Sequence, residues 1–331
     1  MYRRNAYRGI WNVAGEFIII IIIIIIIIIT NIFQPLAGSV CKFIIIIIII
    51  IIIIIIIIIT NIFQPLAGSA SNEEIETSLN AALEAGYRHI DTAFLYGNEA
   101  AIGKVLKKWF DSKKLKREDL FIVTKLPHVG NSFERVEKYL KRSLEALQLS
   151  YVDLYLIHGA IGLQERGDEI RPLDEKGNPL LDMKTDHGME AQVDAGRAKA
   201  IGLSNFNSRQ IKRIWSSARI KPANLQVELN VFFQQRELTA FCKALDITVL
   251  ITSPLSDPVV MKIAKKHNKT PAQVLIRWII QRGIVAIPKS KTPSRIKENF
   301  QVFDFELDES DMDELYRLDK GPSSRVFSFK W

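Results

Sequence analysis

From Ser71 onward, short apolar runs of strand length alternate with stretches whose apolar residues recur at helical spacing, and this alternation restricts the chain to a parallel α/β architecture. The first helix has a legible start. Ser71 followed by Glu74 forms a capping box, Ile75, Leu79, Ala82 and Leu83 repeat on one face, and Gly86 ends it. Strands are predicted at Tyr87 to Asp91, Phe121 to Thr124, Val152 to Ile157, Ala198 to Gly202, Leu225 to Glu228, Thr248 to Thr252 and Ile284 to Ile287. Eight such strand and helix units in about 250 residues would make a (β/α)8 TIM barrel. The 261 residues from Ser71 supply seven strands, so the missing first strand should precede the first helix.

Low-complexity sequence occupies that place. Ile18 to Ile29 and Ile44 to Ile59 are uninterrupted isoleucine, and residues 18 to 39 recur identically as 48 to 69. Two copies are too few for a stacked repeat fold. Three readings of residues 1 to 70 stay open. The segment is a translated low-complexity repeat outside any domain; or a signal or anchor, with MYRRNAYR as its basic start; or a substitute first strand drawn from Ile54 to Phe63. As an anchor it is marginal, since the apolar stretch Phe43 to Ile59 reaches only about 25 Å as a helix against a hydrocarbon core of about 30 Å.

The remainder, residues 71 to 331, reads as one globular domain. The full chain has 24% charged residues and 17 Phe, 5 Trp and 8 Tyr, most of them in this stretch, so it is neither disordered nor fibrous. The two cysteines of the full chain, Cys41 and Cys242, have no second thiol or histidine at metal-ligand spacing, so neither a disulfide framework nor a metal site is predicted. The net charge of +8 is a mild cationic bias that suits an anionic cofactor or substrate. No basic-aromatic stripe points to nucleic acid.

In a barrel, catalytic groups come from the C-terminal ends of several strands, which brings residues distant in sequence together at one rim. Asp91, Lys125, His158, Asn205, Gln226 and Lys289 all fall at or just beyond predicted strand ends. That convergence is the main indication of an active site.

At these residues the chain resembles the aldo-keto reductases, NADPH-dependent carbonyl reductases built on this barrel. The likeness runs through GYRHIDTAFLYGNEAAIG (Gly86 to Gly103), VTKL (Val123 to Leu126), YLIH (Tyr155 to His158), AIGLSNFN (Ala200 to Asn207), LQVELN (Leu225 to Asn230) and IPKS (Ile287 to Ser290). It implies that Asp91, Tyr96, Lys125 and His158 are the catalytic residues. A carbonyl oxygen gains negative charge as hydride arrives and needs a proton donor; a phenol, with a pKa of about 10, is a weak donor unless its anion is stabilised. Lys125 beside Tyr96 would stabilise it, Asp91 would hold Lys125 charged, and His158 would aim the carbonyl. Glu99 is expected to cap or support the helix that follows.

The resemblance also implies a cofactor site for NADPH/NADP+. Ser204, Asn205 and Gln226 would hold the nicotinamide carboxamide, with Ser253 completing that side of the cofactor. Lys289, Ser290 and Arg295 would bind the adenosine 2'-phosphate, and Glu298 and Asn299 would meet the adenine. No GxGxxG fingerprint occurs, so a Rossmann-type site is not expected. The implied partner is a small-molecule carbonyl substrate, and the implied setting is a cytoplasmic monomer.

The chain departs from the family pattern in four places. The usual opening strand is replaced by NIFQPLAGS (Asn61 to Ser69). Gly159 stands where many relatives carry a pocket-lining tryptophan. Thr252 stands where a tyrosine commonly stacks on nicotinamide, and Leu255 joins almost directly to a helix beginning near Pro258, without the long loop that covers the cofactor. The stretch Lys184 to Arg197 lacks several residues at a helix start. Two alternatives to an active reductase follow: a relative that kept the fold as a binding or scaffold protein, and a membrane-tethered form using the isoleucine segment.

Overall fold

The computed structural model describes residues 62–63, 70–182, 188–251 and 257–326. Eight parallel strands form one sheet in the spatial order β1-β2-β3-β4-β7-β8-β9-β10. They are β1 (Ile62–Phe63), β2 (His89–Asp91), β3 (Phe121–Leu126), β4 (Val152–Ile157), β7 (Ala198–Ser204), β8 (Asn224–Gln226), β9 (Thr248–Ile251) and β10 (Val285–Ala286). A small antiparallel pair, β5 (Gly162–Leu163) and β6 (Leu181–Asp182), interrupts the series after β4.

The first strand comes from the end of the low-complexity segment. Ile62 and Phe63 pair in parallel with His89 and Ile90, so the substitute-strand reading holds for these two residues; the isoleucine runs lie outside the described residues. The seven strands predicted from periodicity are all present, with β3 and β7 each extending two residues further toward the site than predicted.

Helices α1 (Asn72–Ala85), α2 (Glu99–Asp111), α3 (Phe133–Leu147), α4 (Gly188–Asp194) and α5 (Ser208–Ser217) cover the first part of the sheet. The second part carries α6 (Arg236–Ala244), α7 (Pro258–His267), α8 (Pro271–Gln281), α9 (Pro293–Phe300) and α10 (Glu309–Tyr316). Local chemistry explains the ends of α1. Ser71 Oγ accepts from Glu74 N at 3.2 Å, Glu74 accepts from Ser71 N at 3.1 Å, and Gly86 stops the helix in the left-handed region at φ 105°. Similar boxes start α5 with Asn207 and Gln210, α8 with Thr270 and Gln273, and α10 with Asp308 and Asp311.

Strand residues alternate between two environments. Phe121, Val123, Leu154 and Leu156 form a cluster inside the curled sheet, whereas Ile122 and Tyr155 pack outward against the helices. Where α2 meets α3 the backbones approach closely. A Cβ at Gly103 would lie 2.4 Å from Ala146 O, so only glycine permits this crossing.

Candidate active site

The C-terminal ends of β2, β3, β4, β7 and β8 converge on one rim, and their alternation decides which side chains face inward. On β3, Thr124 points to the helix layer and Lys125 into the barrel. Lys125 is fully buried, and its Nζ lies 2.6 Å from Asp91 Oδ1 and 2.7 Å from Thr92 O. Asp91 completes its set with Oδ2, which accepts from Gln226 Nε2 at 2.8 Å. A buried ammonium with these two acceptors, one of them a carboxylate itself fixed by Gln226, is held in one orientation.

Tyr96 stands on the short 3-10 turn Phe94–Tyr96 just beyond β2. Lys125 Nζ sits 4.9 Å from the centroid of its ring. Burial alone would push the lysine pKa down. The Asp91 carboxylate, and after it Tyr96, outweigh that effect and raise it above the ordinary value, which keeps Lys125 charged.

His158 follows β4 and meets Tyr96 edge to face, with ring centroids 5.6 Å apart at 82°. Its backbone carbonyl accepts from Asn205 Nδ2 at 2.8 Å. Burial, the Lys125 charge and the neighbouring His128 hold its pKa well below that of a free imidazole, so the ring is neutral at physiological pH. The four residues singled out as catalytic are therefore brought together, with a permanent cation at the centre and a neutral imidazole beside it.

The residues assigned to the carboxamide end lie next to this quartet. Ser204 is buried at the end of β7, and Asn205 follows it with φ 62°, a left-handed conformation in which Asn is among the few tolerated side chains. Asn205 Nδ2 donates to His158 O and to Ser204 Oγ, and Gln226 Nε2 is committed to Asp91. Asn205 Oδ1 and Gln226 Oε1 accept no hydrogen bond from any described residue, which leaves two acceptors suited to a carboxamide NH2. Ser253, like Thr252 and Leu255, lies outside the described residues.

Lys289 and Ser290 precede α9, Arg295 stands in its first turn, and Glu298 and Asn299 in its last. Ser290 Oγ accepts from Thr292 N at 3.1 Å, and Thr292 caps the helix without a side-chain hydrogen bond. Among the described residues neither Lys289 nor Arg295 is ion-paired, whereas Lys291 is turned away to Glu74 at 3.2 Å. Two available cations at a helix N-terminus fit an anionic group. Glu298 is partly exposed and Asn299 is buried against the helix layer.

Several neighbours were not legible beforehand. Glu99 does begin α2, but its side chain turns inward, where Oε1 accepts from Thr124 Oγ1 at 2.6 Å; burial raises its pKa. The carbonyl of Thr92 on Lys125 and the Gln226 amide on Asp91 were also unforeseen. So was His128, which fills the space beside Gly159 where the sequence implied a lost wall. Among the described residues no cluster of His, Cys, Asp and Glu could hold a metal, and Cys242 is buried with its thiol pushed up to about 11.

A curled sheet of eight parallel strands with this quartet on one rim is that of a (β/α)8-barrel enzyme. The sequence profile of the Aldo/keto reductase family matches residues 61–262 and 256–320. Aldo-keto reductase family 1 member A1-A of Danio rerio is 45% identical over 260 residues, covering 72% of this chain and 80% of that protein. The human family 1 member A1 is 41% identical over 268 residues, covering 75% and 82%. A solved structure of the aldose reductase from Schistosoma japonicum superposes with a TM-score of 0.77 at 42% identity, covering 81% of this chain and 90% of that one. The chain belongs to the aldo/keto reductase family, oxidoreductases that act on carbonyl groups. No helix among the described residues is long and apolar enough to cross a membrane.

Proposed function

We propose that this protein reduces aldehydes and ketones to alcohols with NADPH, with Tyr96 as the general acid. The observation that carries the reading is the buried Lys125 ammonium, held by Asp91 at 2.6 Å and lying 4.9 Å from the centre of the Tyr96 ring. NADPH supplies the hydride when bound. Tyr96 donates its phenolic proton to the substrate oxygen, and the Lys125 charge stabilises the phenolate left behind. Asp91 keeps Lys125 oriented, and neutral His158 directs the substrate oxygen toward Tyr96. Because that ring is uncharged, it orients without competing as the acid.

The fit of the cofactor rests on the donor sets at its two ends. Ser204, with the available oxygens of Asn205 and Gln226, would fix the carboxamide, and Ser253 belongs to the same side by resemblance. Lys289, Ser290 and Arg295 at the start of α9 would hold the 2'-phosphate, with Glu298 and Asn299 against the adenine; that charge pair favours NADPH over NADH. We place the enzyme domain at residues 71–331, joined in the sheet by Ile62–Phe63, acting in the cytoplasm as a monomer on a small carbonyl compound.

Replacing Tyr96 by Phe tests the assignment. Turnover should be abolished while NADPH binding, read by fluorescence titration, stays nearly unchanged. Undiminished turnover would reject Tyr96 as the acid.

A further inference from the structure

His128 opens the 3-10 turn His128–Gly130 after β3, and Gly159 directly follows His158 after β4. The two loops are fitted to one another. A Cβ at Gly159 would lie 2.4 Å from His128 Cε1, so the imidazole occupies the volume that any side chain at 159 would need. His128 Nδ1 is hydrogen-bonded to Ile161 O at 3.0 Å, and Asn131 Nδ2 donates to Ile161 O at 3.2 Å and Gly159 O at 3.4 Å. The imidazole is 7% exposed and its position is determined on several sides.

From there it lies face to face with His158, with centroids 6.0 Å apart and planes 21° from parallel. Tyr96 meets the same imidazole edge to face at 5.6 Å. An imidazole that aims a reactant is usually fixed by a hydrogen bond on its second nitrogen. His158 lacks one: Nδ1 is buried and has no hydrogen-bond partner among the described residues. Its orientation is left to packing against Tyr96 and His128.

We propose that His128 is a positioning residue for His158, and that Gly159 exists without a side chain so that His128 can reach it. The proposal rests on the reading of His158 as the group that directs the substrate oxygen. His128 does not touch that oxygen; it holds the ring that does.

The test is a set of variants of the full chain assayed with NADPH and a generic aromatic aldehyde. His128→Ala should lower kcat by on the order of a hundredfold, the cost of a misplaced catalytic group, with NADPH affinity and melting temperature little changed. His128→Phe, which keeps a flat ring against His158, should recover most of the loss. Gly159→Ala should reproduce the His128→Ala defect by displacing the imidazole, and the double variant should be no worse than His128→Ala alone, because both act on one contact. Wild-type kcat in His128→Ala, no rescue by His128→Phe, or losses that multiply in the double variant would overturn the proposal. Ring NMR of His158 supplies a readout independent of turnover. A single sharp imidazole resonance should broaden or divide in His128→Ala. If the unsubstituted chain shows no turnover, the carbonyl-reductase reading falls, and an unbroadened His158 signal in His128→Ala would separately overturn the positioning role.

Discussion

Lys125 Nζ and Asp91 Oδ1 lie 2.6 Å apart with neither side chain exposed to solvent. Removing one member strands the other charge in the barrel. Lys125→Met or Asp91→Asn should each lower stability by about 3–5 kcal/mol, as measured for broken buried pairs. The double variant should lose less than the two single losses combined. Urea denaturation of the three variants checks this, and strict additivity would show that the pair is not energetically coupled.

Acid should weaken the fold through buried imidazoles. Burial and then the Lys125 charge push His89 down to about 3 from its ordinary 6.5. The folded state therefore binds fewer protons than the unfolded chain in that window, and stability falls as pH drops from about 6.5 toward 3. His128 and His158 shift in the same direction. His89→Leu, which keeps an apolar contact with Phe121, should flatten the pH dependence of the melting temperature across this window; an unchanged slope would remove His89 from the account.

Glu99 should have the opposite sign. Its folded pKa is raised, chiefly by burial, so its contribution is full below the ordinary carboxylate range and declines as pH rises. Glu99→Gln keeps the acceptor for Thr124 and removes the ionisable proton. The variant should gain melting temperature relative to the unsubstituted chain more at about pH 8 than at about pH 5. A gain that is larger in acid would contradict this.

Recognition of the 2'-phosphate is testable by charge removal at the start of α9. Lys289→Ala and Arg295→Ala should each weaken NADPH binding by roughly tenfold, the worth of one charge-assisted phosphate contact, and leave NADH affinity nearly unchanged. Titration with both nucleotides separates the cases. Equal losses for NADH and NADPH would place the 2'-phosphate elsewhere.

Three of the four proposed catalytic residues were legible by position, because Asp91, Lys125 and His158 fall at or next to the ends of β2, β3 and β4, which a barrel brings to one rim; Tyr96, on a turn beyond β2, was marked only by the family resemblance. Helix starts such as Ser71 with Glu74 were legible because the capping partners are three residues apart. Contacts between distant loops and side chains carry no such local signal. Gln226 reaches Asp91 from 135 positions away, Thr124 meets Glu99 across 25, and the pairing of His128 with Gly159 depends on two irregular turns. β1 was narrowed only to the stretch Ile54 to Phe63. A homopolymeric run has no period, so nothing in Ile44 to Phe63 marked Ile62 and Phe63 as the pair that joins the sheet.

The most direct measurement is consumption of NADPH by the purified full chain, with and without an aldehyde, beside a thermal melt of the same sample. A cooperative melt shifted upward by NADPH, with aldehyde-dependent oxidation of NADPH and one alcohol formed per nucleotide, is the predicted result. A cooperative melt with no NADPH consumption across a panel of aldehydes and ketones would contradict carbonyl reduction by this chain.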